Sequence, residues 1–133
     1  MKSACLMAIL VSTITLPALA DDDDEHVITK ICQYTQANDR SGLRRTLEED
    51  GVDLRRIYDG IKCGANGSLL RTAAVNGAVD AATLIATKAG KPSFTKAEGD
   101  GMNAIQWIQK KHDGGDAALK AKIKPVLDML MSK

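Results

Sequence analysis

A chain of 133 residues with 18 basic and 17 acidic side chains carries a net charge near zero, so nothing global draws it to nucleic acid or an anionic membrane surface. One Trp, one Phe and two Tyr mean that its core must be mostly aliphatic. The length fits one domain and no more.

Met1-Lys2-Ser3 is followed by an apolar stretch from Ala4 to Leu16 and then Pro17-Ala18-Leu19-Ala20 before Asp21. A positive start, a short apolar run and a small-x-small site form a secretory leader, residues 1–20. The run is too short to span a bilayer, which needs about 20 residues. No cysteine follows it, so a lipid anchor is not supported. Cleavage after Ala20 leaves Asp21 to Lys133 with equal numbers of basic and acidic residues, and no later segment is apolar enough to cross a membrane. It also removes Cys5, so Cys32 and Cys63 remain as an even pair in an oxidising compartment, where a disulfide is the default. Closing a loop of about 30 residues would stabilise the fold by roughly 3–4 kcal/mol.

Residues 21–26, Asp-Asp-Asp-Asp-Glu-His, read as a solvated, disordered acidic terminus ahead of a helical domain at 27–133. Val27, Ile31 and Tyr34 recur at helical spacing, with Cys32 beside their stripe. Asn38-Asp39 breaks that helix, and Asp39 or Ser41 caps the next, which turns Leu43 and Leu47 inward and ends at Gly51. Val52 to Ile61 reads as a turn or brief helix holding Ile57 and Tyr58. Gly64 to Gly67 is loop, after which Ser68 caps a helix through Val75 that stops at Asn76-Gly77. A further helix runs from about Ala78 to Gly90, and Lys91 to Gly101 reads as loop. Met102 to Lys111 is helical with Ile105 and Ile108 inward and Trp107 beside them. Gly114-Gly115 precedes a last helix, Asp116 to Met131, whose stripe is Leu119, Ile123, Val126, Leu127 and Leu130. Pro125 should kink or split it. No stretch alternates like a strand, so the predicted fold is all-α, about three stacked helical hairpins with one disulfide.

The pairs repeat. Asn38 to Gly51 and Asn76 to Gly90 each place a helix between an Asn-led turn and a glycine. Ser68-Leu69-Leu70-Arg71-Thr72-Ala73-Ala74-Val75-Asn76-Gly77 resembles the ankyrin motif T-P-L-H-x-A-A-x-x-G, with Arg71 in place of His, and Asn103 to Trp107 echoes its start. An ankyrin-like solenoid is what that resemblance implies, with Arg71 as a structural polar tie to the next repeat. A second resemblance is closer. Leu54-Arg55-Arg56-Ile57-Tyr58-Asp59-Gly60-Ile61-Lys62-Cys63, followed by Ser68-Leu69-Leu70-Arg71-Thr72-Ala73, is similar to the core pattern L-R-x-I-Y-x-x-I-x-C and S-L-L-R-x-A of a family of short exported proteins from Gram-negative bacteria, labelled a domain of unknown function. A leading cysteine of that family matches Cys32. The resemblance implies a periplasmic address and a Cys32–Cys63 pair, and it supplies no activity.

No catalytic set is legible. His26 and His112 sit in no nucleophile or metal motif, Ser68 lacks G-x-S-x-G, and Gly64 to Gly67 lacks the lysine of a phosphate loop. The chain therefore reads as a non-enzyme without metal or cofactor. Arg55, Arg56 and Tyr58 lie in the inter-repeat segment and belong to residue types enriched at interface hot spots, which makes them the candidate partner-binding residues. The expected function is a periplasmic protein-binding module whose partner is another protein of the periplasm or envelope. The alternatives are secretion into the medium, an immunity or inhibitor protein, and a small envelope-acting hydrolase accessory. Neither the partner nor the oligomeric state is encoded in any motif.

Overall fold

The computed structural model describes residues 18–133, with side-chain environments from Asp24 onward. Of the leader predicted over residues 1–20, residues 1–17 lie outside the described residues. Eight helices and no strand occur among the described residues: α1 (Ala18–Gln36), α2 (Arg40–Glu49), the single turn α3 (Leu54–Ile57), α4 (Leu69–Val75), α5 (Val79–Ala89), the single turn α6 (Pro92–Thr95), α7 (Ala104–Asp113) and α8 (Ala117–Met131). None of them is long and apolar enough to cross a membrane.

The helices pair as three hairpins, α1 with α2, α4 with α5 and α7 with α8. The first two turns share one geometry. Asn38 and Gly77 take left-handed backbone angles, φ 56° and 66°, at the position where a helix end needs them. In both, the next amide reaches back five residues: Asp39 N–H to the Tyr34 carbonyl at 2.9 Å and Ala78 N–H to the Ala73 carbonyl at 2.8 Å. The two turns thus match in backbone conformation with Asn38 opposite Gly77, one residue past the Asn76 that the sequence pairs with it. Asp39 then caps α2 by accepting from the Gly42 amide. The third turn differs: Gly114 ends α7 without a left-handed residue, and Asp116 caps α8 through the Leu119 amide.

Stacking follows from where the apolar residues fall. α4 is buried on nearly every side, from Leu69 through Ala74, with Arg71 and Thr72 enclosed among its apolar residues. It packs against α1 on one flank and α7 and α8 on the other, while α5 lies between α2 and α8. Ala73, Ala74, Ala78, Ala81 and Ala82 are all fully buried in this middle hairpin, and their small side chains let the neighbours approach closely. Ile31, Leu43 and Leu47 from the first hairpin and Ile108, Ile123, Val126, Leu127 and Leu130 from the third complete one continuous apolar cluster. Burying each such side chain is worth about 1.5–3 kcal/mol.

Residues 21–26 fall within α1. Three expectations need correction. Lys91 to Gly101 is not all loop, because Pro92 starts the turn α6 and that turn buries Phe94. Pro125 does not split α8, which is one helix from Ala117 to Met131; the proline removes one backbone bond, and the buried stripe on both sides holds the helix together. Ile105 is only partly buried, and Ala104 with Ile108 faces the core instead.

Candidate functional site

Cys32, on the inward side of α1, and Cys63, just before the 3-10 turn Gly64–Asn66, form the expected disulfide with Cα atoms 5.6 Å apart. It fastens the linker between the first two hairpins to α1. The same linker is anchored by Ile61, 1% exposed, and by a Cys63 N–H to Gly67 carbonyl bond of 2.7 Å.

Tyr58, expected to face a partner, is a core residue at 1% exposure. Its ring is the largest apolar object in the linker, so the chain folds it inward. Its hydroxyl oxygen accepts from the Leu70 amide at 3.2 Å, one of the orphan donors at the start of α4. Burial pushes the phenol up to about 12. Ser68 occupies the N-cap position of α4, yet its side chain makes no cap bond. It donates instead to Glu98 Oε2 at 3.0 Å, and Tyr58 supplies the acceptor that Ser68 was expected to provide.

Arg71 is 6% exposed and organises the segment leading to the third hairpin. Its guanidinium forks onto Asp100, with Nη1 to Oδ2 at 2.7 Å and Nη2 to Oδ1 at 2.9 Å, and Nη2 also donates to the Met102 carbonyl at 3.0 Å. The Arg71 hydrogen bonds hold the Asp100 carboxyl well below the usual carboxylate range. Arg71 Nε lies 3.2 Å from Glu98 Oε1, an ion-pair distance, but its N–H is not aimed at that oxygen and has no hydrogen-bond partner. The contact is therefore one of charge alone. The Trp107 ring covers the guanidinium carbon at 5.0 Å from its centroid, a cation–π geometry. Sequence patterning marked Arg71 but not Glu98, Asp100 or Trp107, because the three lie about 30 residues further along with no motif of their own.

Two concavities flank this linker region. The first, about 320 Å³, is polar and lined by Tyr58, Asp59, Lys62, Ser68, Lys96 and Glu98 among others. Both its carboxylates are already engaged: Asp59 with Lys96 at 3.0 Å, Glu98 with Ser68 and Arg71. The second, about 470 Å³, is a groove between α1 and α3 with Val27, Ile28, Val52, Ile57 and Ile61 as its apolar lining and Asp24, Asp50 and Arg56 at its edges. Ile57 is 37% exposed, one of only two large apolar side chains so open among the described residues. Asp50 is paired with Lys30 at 3.3 Å. Arg55 and Arg56 are exposed, and Arg55 lies across Gly90, where a Cβ would sit 3.6 Å from its Nε. Of the three candidate partner residues, the structure thus leaves two arginines on the surface and adds Ile57 between them and Tyr58.

His112 Nδ1 lies 3.3 Å from the adjacent Asp113, a local surface contact. Among the described residues, no three His, Cys, Asp or Glu side chains gather closely enough to share a metal ion.

The geometry defines an all-α protein of stacked hairpins with a disulfide-anchored linker. Residues 31–97 match the family described as protein of unknown function (DUF3718), and the chain belongs to that family. The matched stretch holds both cysteines, Arg55 to Tyr58, Ser68 and Arg71, and stops before Glu98. No curated protein and no solved structure matches the chain.

Proposed function

We propose that this chain is an exported protein-binding module of the bacterial envelope that takes an apolar segment of a partner protein into the groove between α1 and α3. The observation that carries this reading is Ile57, an exposed aliphatic side chain beside an apolar groove and next to Arg55 and Arg56, which make no ion pair among the described residues. Cations with spare charge at an apolar groove favour a partner segment that carries a carboxylate among its apolar residues. The leader pattern of residues 1–20 supports a periplasmic address, and the disulfide supports an oxidising compartment. Three hairpins in contact as a series, the first two with matching turns, support the ankyrin-like comparison, and proteins of that architecture bind partners along their inter-repeat segments. The narrower form of the proposal, an immunity protein or inhibitor, applies if the partner is an enzyme that loses activity on binding.

The test is retention of envelope proteins on the immobilised, disulfide-bonded protein, set against Ile57→Asp and Arg56→Glu. Both substitutions fall on exposed positions and leave the helical circular dichroism unchanged. A discrete partner whose retention falls at least tenfold in each variant supports the groove; equal retention by all three proteins overturns it.

A second reading has one observation in its favour. The polar cleft gathers two carboxylates, Asp59 and Glu98, with a serine hydroxyl on Glu98, and carboxylates are among the groups that serve general acid–base hydrolysis. Turnover of purified envelope polymers that is lost in Glu98→Gln would favour it. No turnover by the unaltered protein would remove it.

A further inference from the structure

Near-zero net charge conceals a strong polarity. Residues 21–61 hold eleven acidic and six basic side chains, and residues 62–133 hold six acidic and eleven basic. The two sets lie on different parts of the stack, since the first and third hairpins meet chiefly through the middle one. Within the third hairpin, Lys110, Lys111, Lys120 and Lys122 are all exposed, and none takes part in an ion pair among the described residues. Lys110 and Lys111 form the rim of a hollow of about 430 Å³ at the α7–α8 turn, whose floor is Met102, Trp107 and Leu119. Lys111 Nζ stands 5.2 Å from the centroid of the Trp107 ring.

The opposite pole begins at the amino end of α1, with five consecutive carboxylates at Asp21 to Glu25. Asp24 and Glu25 are exposed and unpaired among the described residues. This run cannot reach the lysine-rimmed hollow of its own chain. The first two hairpin turns lie side by side, Asn38 Oδ1 in the first accepting from the Ala81 amide of α5 at 2.9 Å, and Gly77 in the second lies against Lys122 of the third hairpin. Asp24 sits about 20 Å along α1 from its turn, at 1.5 Å per residue, and on the far hairpin. That separation is well beyond the screening length of about 8 Å at physiological salt.

We infer that the lysine-rimmed hollow at the α7–α8 turn docks the acidic amino end of α1 from a second copy of this chain. The occupant follows from charge: the anionic segment complementary to the hollow is present in every copy and is sterically available only to another one. Such a contact is heterologous, so it closes into a dimer when made reciprocally and extends into a chain when made serially. Charge-driven association of this kind weakens steeply with ionic strength.

Sedimentation of the disulfide-bonded protein at 20 and 500 mM salt tests the contact, using Lys110→Glu/Lys111→Glu and Asp24→Lys/Glu25→Lys. At low salt the unaltered protein should show a mass that rises with concentration to a dimer or beyond, and at high salt only the monomer. Each double variant alone should weaken association at least tenfold. An equimolar mixture of the two should regain it, because the unaltered acidic run of the first variant meets the unaltered lysine-rimmed hollow of the second. A monomer at low salt overturns the inference, as does a mixture that fails to associate. Binding of phosphatidylglycerol vesicles by a protein that stays monomeric in solution would assign the hollow to lipid and equally overturn it.

Discussion

Replacing Arg71 by Met keeps most of the aliphatic volume and removes every guanidinium N–H. Three hydrogen bonds go, two to Asp100 and one to the Met102 carbonyl. Hydrogen bonds to charged groups contribute about 1.5–3 kcal/mol, but the Asp100 side chain is 41% exposed and water recovers part of that loss. Glu98 is the costlier orphan. Its side chain is 11% exposed, and without Arg71 only the Ser68 hydroxyl faces its charge, the situation in which breaking a buried pair costs about 3–5 kcal/mol. The combined expectation is a loss of about 3–4 kcal/mol in urea unfolding followed by circular dichroism, with Asp100→Asn costing much less because that carboxylate is open to water. Arg71→Met/Glu98→Gln should be more stable than Arg71→Met alone, because the stranded charge is gone. Asp100 also gives a pH signature. Its folded-state pKa is depressed by Arg71, so its contribution is present above the ordinary carboxylate range and is lost as pH falls through the folded value. Arg71→Met should flatten the acid limb of the stability curve below about pH 4. A loss under 1 kcal/mol for Arg71→Met, or a double variant no better than the single, would refute the idea that this cation ties the third hairpin to the second.

Breaking the disulfide with Cys32→Ser/Cys63→Ser should cost about 4 kcal/mol, from the chain entropy of a 31-residue separation, read as a lowered denaturation midpoint that matches the reduced unaltered protein. Gly42→Ala would gain helix propensity of about 1 kcal/mol at a neutral site. Here the new Cβ would stand 2.6 Å from Tyr34 Cε1 and 2.8 Å from Asp39 Oδ2, so overpacking of about 1–3 kcal/mol dominates and thermal unfolding should show a net loss. Tyr58 carries a pKa raised to about 12 by burial. Its stabilising effect is complete below about pH 10 and disappears as pH climbs through 12, a change of about 2–3 kcal/mol at 1.36 kcal/mol per unit. Alkaline unfolding monitored by tyrosinate absorbance should be steeper than in Tyr58→Phe.

Much of the stack was legible because its cause is local. Helical spacing in Leu119 to Leu130, the Asn38 and Gly77 turns, and the Ala73-Ala74 close approach are each written in consecutive residues, and the structure realises them. What failed was non-local. Ser68 looked like a cap because serine before an apolar run usually is one; Glu98, 30 residues away, competes for its hydroxyl. Tyr58 was set beside Arg55 and Arg56 as a surface residue by adjacency, although it lies one turn after buried Leu54 and so shares its inward face, while Ile57 stays out. The groove between α1 and α3 has no sequence signature, since its lining comes from three separate segments.

Site-specific photo-crosslinking in living cells addresses the binding account most directly. A photoreactive residue at Ile57 should yield one discrete protein adduct in the cell envelope, absent when the same residue replaces Lys124, which is exposed on α8 away from the groove. The Ile57 adduct should disappear in an Arg56→Glu background. No adduct at position 57, or the same adduct from both positions, would contradict the assignment of that groove to a partner.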